Sequence, residues 1–208
     1  MRPGRPDIEA ALALENGTER KLAVASLIDQ LVQLIEWRAI VIGGLAVEFW
    51  THGAYATTDI DLYLPHGPAV DDLLAELGFR KKGRHWILPE YDLFIEAPAS
   101  FPAESEEVQE VMLRNGYKVL LLSVEDVLID RLHQFVSGGQ REVASQALSL
   151  LGAEDLDARR LGERAKEEGL ASALRALLPA RRENRARRNH RNMGAARDRQ
   201  TPAARAII

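Results

Sequence analysis

The chain has 208 residues, no cysteine, 28% charged and 46% hydrophobic residues, and a formal net charge of −4 at pH 7. Disulfides and thiolate metal sites are thereby excluded, and a reducing, cytoplasmic setting is expected. No apolar run approaches the roughly 20 residues that span a bilayer, and the N-terminus lacks a signal peptide's apolar core, so no membrane association is expected.

Thr18 is expected to cap a helix reaching about Trp37, because Val24, Leu27, Ile28, Leu31, Leu34 and Ile35 repeat along one helical face. Ala39 to Ile42 reads as a short strand of a sheet interior, apolar on both faces. Gly43 and Gly44 then turn the chain into a short helix from Leu45 to about Thr51. A strand over Asp59–Leu64 ends at Pro65, and Pro68 opens a helix that Gly78 stops after Leu77. Phe79–Lys82 and His85–Leu88 read as paired strands around Gly83, and Tyr91–Ala97 as a further strand. A hairpin of Val108–Leu113 and Tyr117–Leu122 is expected to close through a two-residue turn at Asn115-Gly116. From Ser123 the pattern is helical, with Ser123 and Asp126 forming a start like a capping box, Gly138-Gly139 a break, and further segments near 142–151, 156–168 and 170–178.

The chemistry concentrates in two pieces. Asp59 and Asp61 stand two apart on one predicted strand, so their side chains share a face. Two carboxylates at one spot repel unless a cation neutralises them, and oxygen ligands suit Mg²⁺ or Mn²⁺. Gly43 and Gly44 sit where a strand enters a helix, a corner whose backbone N–H groups can receive phosphate. A phosphate cradle beside a divalent ion suits transfer of a nucleotidyl group from a nucleoside triphosphate. Asp92 and Glu96 are both candidates for a third carboxylate. At strand rise they stand about 13 Å apart, so only one can join the pair. Arg80, Lys81, Lys82 and Arg84 form a basic hairpin, followed by His85 and by Trp86, on which a base can be imagined to stack.

The order Gly43-Gly44, then Thr57-Thr58-Asp59-Ile60-Asp61 with Asp59 fifteen positions after Gly44, resembles the nucleotidyltransferase superfamily related to DNA polymerase β. Within it the stretch looks most like the bacterial abortive-infection and type IV toxin–antitoxin nucleotidyltransferases and their uncharacterised relatives. Leu121-Leu122-Ser123-Val124-Glu125-Asp126, leading to Asp130-Arg131-Leu132, is similar to a downstream segment of those relatives. The resemblance implies an α/β (α+β) fold, a small mixed sheet flanked by helices and followed by a helical region. It implies an enzyme with Asp59, Asp61 and Glu96 as metal ligands and with Asp92 as the alternative third acid. It further implies that Gly43, Gly44, Thr57 and Arg131 contact the nucleotide. The implied acceptor is RNA such as a tRNA 3′ end, with an antitoxin protein as a possible partner. Transfer to a small hydroxylated molecule, or a catalytically inactive binding subunit, are the alternatives. Many members place Arg four residues before the first aspartate, where this chain has Tyr55, and the toxins commonly place Lys where Arg131 or Asp130 stands.

The expected organisation is an α/β domain over 1–122, a helical subdomain over 123–180 and a tail over 181–208. That tail holds nine arginines against Glu183 and Asp198, a balance of +7 that leaves −11 for the rest of the chain. It reads as a solvated, disordered segment.

Overall fold

A computed structural model describes residues 2–98 and 101–178. The expectation for the tail lies outside them. Asn16 caps the long helix α2 (Gly17–Val32): its Oδ1 accepts from the Glu19 N–H at 3.0 Å. The sequence pointed to Thr18 for this role, but the Thr18 hydroxyl instead donates to Glu48 Oε1 at 2.5 Å. Before it runs a first helix, α1 (Arg5–Leu12). Pro6 lies in its first turn, where a missing N–H costs no hydrogen bond, and Ile8, Ala11 and Leu12 are buried.

The sheet is built from β1 (Ile40–Val41), β2 (Ile60–Tyr63), β3 (Arg80–Lys82), β4 (His85–Leu88), β5 (Leu93–Glu96), β6 (Val108–Met112) and β7 (Lys118–Leu122). Their order is β3-β4-β5-β2-β1-β7-β6, with β1 parallel to β7, β2 parallel to β5, and the other pairs antiparallel. Helices α3 (Gly43–Trp50) and α4 (Pro68–Glu76) connect strands in the first half. After β7 come α5 (Val124–Gly138), α6 (Arg141–Leu150), α7 (Ala158–Glu167) and α8 over 171–178. The fold is thus a mixed α/β sheet flanked by helices with a helical C-terminal region, as expected.

Two local expectations are corrected. Leu113 N–H donates to the Tyr117 carbonyl at 2.8 Å, so the hairpin closes through three residues, with Gly116 at φ 86°. The left-handed glycine absorbs the twist that a two-residue turn would place on Asn115 as well. Strand β5 begins only at Leu93. Pro89–Tyr91 forms a 3₁₀ turn closed by Asp92 at φ 47°, and that residue is exposed. Pro89 favours the turn, and the left-handed backbone at Asp92 takes its carboxylate out of strand alternation.

The two faces of β2, β5 and β4 differ in burial. Ile60, Ile95 and Trp86 are register partners, each with no exposed surface. The Trp86 indole N–H donates to Asp71 of α4 at 2.7 Å, which fixes α4 on this side. The opposite side carries Asp61, Glu96 and His85, all half-buried.

Candidate functional site at the β1–α3 corner

Chain direction changes at Gly43, whose φ is 56°. A Cβ there would lie 2.7 Å from both the carboxyl carbon and Oδ2 of Asp61. Backbone and contact both demand glycine. A Cβ on Gly44 would meet Thr57 Oγ1 at 3.0 Å and Asp61 Oδ2 at 3.2 Å. Gly43, Gly44, Thr57 and Asp61 are therefore brought together, as the sequence implied.

The corner is used differently from the expectation. Asp61 Oδ2 accepts the N–H of Gly44 at 2.7 Å and of Leu45 at 3.4 Å. The N–H groups read as open to phosphate already serve a carboxylate, because the positive end of a helix attracts any nearby anion. Burial is the main cause that pushes the Asp61 carboxyl up to about 6, and the Glu96 charge adds to it. The two N–H donors and the Arg131 charge pull the other way without prevailing.

Glu96 stands opposite Asp61 on the adjacent parallel strand. Its Oε1 lies 2.8 Å from Arg84 Nη2 and 3.7 Å from His85 Nε2. Asp59 precedes β2, is half-buried and accepts from the Thr58 hydroxyl at 3.1 Å. Asp92 lies outside this row. Arg131, on α5, donates to Gln146 at 3.2 Å, Gln134 at 3.1 Å and Asp130 at 3.0 Å, while its Nε is buried with no partner among the described residues. Tyr55 fills the position where the resemblance leads one to expect arginine, and its hydroxyl donates to Glu142 Oε1 at 3.1 Å. Burial, then the Glu142 carboxylate, raises the pKa of that hydroxyl.

The loop that carries Thr57 is held by residues the sequence reading missed. Glu48 Oε2 accepts the Thr57 N–H at 2.8 Å and pairs with Lys21 Nζ at 2.6 Å. Lys21 Nζ also donates to the Thr57 carbonyl at 2.5 Å. A lone glutamate in the apolar run Leu45-Ala-Val-Glu48-Phe-Trp was the available signal, since a buried acid requires a partner. Trp86 is fully buried beneath Lys81, whose Nζ lies 3.3 Å from the indole centroid, so no base can stack there.

The donor set of Asp59, Asp61 and Glu96 is all carboxylate oxygen, the chemistry that takes Mg²⁺ or Mn²⁺. A buried acid raised to about 6 beside a second carboxylate is a place a cation would relieve. Among the described residues, however, no group of three or more His, Asp or Glu side chains stands close enough to hold an ion. The chemistry fits and the cage is not closed. Hollows of about 330 and 380 Å³ lie by α2 and the β6–β7 hairpin, lined by Gln30 and Gly116 among others, and neither touches these acids. The candidate site is an open corner. Among the described residues, no helix is long and apolar enough to cross a membrane.

No family model and no curated protein sequence matches the chain. Among solved structures it is similar to an antigenic nucleotidyltransferase-like protein from Paracoccidioides brasiliensis, at 17% identity and a TM-score of 0.49, covering 75% of this chain and 92% of that one. It is also similar to the antibiotic-resistance factor ANT(2'')-Ia, at 15% identity and a TM-score of 0.48, covering 87% and 99%. At this identity the chain is similar to both and assigned to neither.

Proposed function

We propose that the β1–α3 corner is the nucleotide site of a divalent-ion-dependent nucleotidyltransferase whose acceptor is a small hydroxylated molecule. The observation that carries this reading is the register: Asp61 and Glu96 are partners on adjacent parallel strands, and Asp61 lies against Gly43 and Gly44. Asp59, Asp61 and Glu96 would hold Mg²⁺ or Mn²⁺, which when bound offsets the charge of the triphosphate. With an ion held there, Asp61 would release the Gly44 and Leu45 N–H groups, leaving the α3 N-terminus to phosphate. Gly43 and Gly44 let phosphate oxygens approach the backbone, Thr57 walls the corner, and Arg131 contributes positive charge behind it. Glu96 takes the acceptor's proton. The acceptor oxygen then bonds to the α-phosphorus as the bond to pyrophosphate breaks, and pyrophosphate leaves with the electron pair. Asp92, displaced from the row, is given no part.

The charge of the chain supports a small acceptor. The described residues carry −11, and a polyanion gains affinity from a broad basic surface. A second reading, a catalytically inactive partner subunit of the same fold, draws on the absence of a three-acid cage among the described residues and on the pairing of Glu96 with Arg84. The toxin-type reading, with a tRNA acceptor and an antitoxin partner, draws on sequence resemblance.

Melting of the full chain with each nucleoside triphosphate, with and without Mg²⁺, tests the site. At least one nucleotide is expected to raise the melting temperature by several degrees only when Mg²⁺ is present. Incubation with labelled nucleotide, a panel of hydroxylated small molecules and total RNA then assigns the acceptor. Label in the small molecules supports the proposal, and label in RNA transfers it to the toxin-type activity. Failure of every nucleotide to shift melting would replace the enzyme with the partner-subunit reading.

A further inference from the structure

Strand register draws two lines of side chains across the open face of β2, β5, β4 and β3. The first runs Asp61, Glu96, His85, Lys82 as successive partners. The second, one step along, runs Phe94, Ile87, Arg80. Partners in register project from the same face. Asp61, Glu96, His85, Ile87 and Phe94 are half-buried, while Arg80 and Lys82 are exposed. Charge thus changes sign across about three strand spacings, from two carboxylates to two cations over an apolar and aromatic floor.

The other face of the same hairpin shows what a structural lysine looks like. Lys81 packs over the Trp86 ring and lies 3.2 Å from Asp71 Oδ1. Arg80 and Lys82, its neighbours, make no ion pair among the described residues. Two exposed cations side by side, with no ion pair among the described residues, leave positive charge on this face available to an external anion.

We propose that this shelf binds a phosphate group of the acceptor. Arg80 and Lys82 hold the phosphate, and Arg84, now held by Glu96, turns toward the same group. Phe94 and Ile87 support the uncharged body between phosphate and hydroxyl. From β5 to β3 is two strand spacings, about 10 Å, so the acceptor's hydroxyl and its phosphate are separated by roughly one sugar unit. The proposal rests on the reading of the corner as a nucleotidyltransferase site and adds the acceptor's charge. A phosphorylated small molecule and the phosphodiester of an RNA end share the recognised chemistry.

The test is direct binding by calorimetry, without nucleotide, to ribose, ribose 5-phosphate and a five-nucleotide RNA with a free 3′ hydroxyl. Wild-type protein is expected to bind ribose 5-phosphate at least tenfold tighter than ribose. R80E/K82E, both exposed edge positions, is expected to lose that preference. Melting with Mg²⁺ and nucleotide is measured on the same variant and is expected to stay as in wild type. Preference for the RNA over ribose 5-phosphate, abolished in the variant, would support the shelf and identify its phosphate source as nucleic acid. Equal binding of ribose and ribose 5-phosphate with no binding of RNA, or an unchanged preference in the variant, would overturn the shelf. If the shelf binds phosphate while no nucleotide shifts melting, the shelf stands and the nucleotidyl-transfer reading of the corner falls.

Discussion

Asp61 and Asp126 are both carboxylates withdrawn from water, and the protein treats them oppositely. Asp126, at the start of α5, has no exposed side-chain surface. It lies 2.5 Å from Arg160 Nη2 and 2.9 Å from Arg164 Nε, and it accepts from the Ser123 hydroxyl at 2.7 Å and the Glu107 N–H at 2.9 Å. Burial pushes its pKa up, but these donors together bring it below the ordinary value. Asp61 has two backbone N–H donors, no paired cation among the described residues, and a carboxyl raised to about 6. A satisfied cluster holds α5 to α7. At Asp61 burial outweighs the two N–H donors.

Removing the Asp126 carboxylate should have the largest effect. Asp126→Ala leaves Arg160 and Arg164 without their shared anion and is expected to cost about 3–5 kcal/mol in urea unfolding. A loss below about 1 kcal/mol would mean the network contributes no more than a surface ion pair. Gly43→Ala comes next, at about 1–3 kcal/mol, because φ is positive and the new Cβ meets Asp61. It should also abolish any nucleotide-dependent rise in melting temperature, and a variant that keeps both stability and that rise would refute the tight corner.

The third prediction is a gain. A carboxyl raised in the fold contributes stability below its unfolded pKa and loses it as pH rises through about 6. Asp61→Asn should therefore melt a few degrees higher than wild type at pH 8, with the difference vanishing below about pH 4. Asp126 has the opposite sign: its contribution is present above the unfolded value and is lost as pH falls through the lowered one. Melting curves from pH 3 to pH 8 on both variants compare the two signs, and a destabilised Asp61→Asn at pH 8 would show that its N–H bonds outweigh its burial. The smallest effect belongs to Arg84→Ala, an exposed pair with Glu96 expected to change stability by less than about 1 kcal/mol. The same change should raise the Asp61 pKa further, as read from carboxyl carbon shifts, because Glu96 loses its counter-charge. An unchanged titration would show that Glu96 is not the neighbour that matters.

The elements were legible wherever local signals were strong. Gly78 and Gly139 ended their helices, and β3 and β4 paired around Gly83 as read. Asp92 was misread because alternation continues formally from Tyr91, while the 3₁₀ turn at Pro89 depends on one backbone dihedral. The Gly43–Asp61 contact followed from motif order. The Lys21–Glu48 pair joins residues 27 apart and has no periodic trace.

The sequence by itself determined which residues are acidic, which corner must be glycine and which half of the chain is strand-rich, because these follow from side-chain chemistry and spacing along a few turns. Only the tertiary structure decided that Asp61 faces Glu96 rather than Asp92, that its oxygen occupies the α3 N-terminus, and that Lys81 is committed while Lys82 is free of any ion pair among the described residues. Those outcomes depend on strand register, and one residue of slip would exchange the two faces of the sheet.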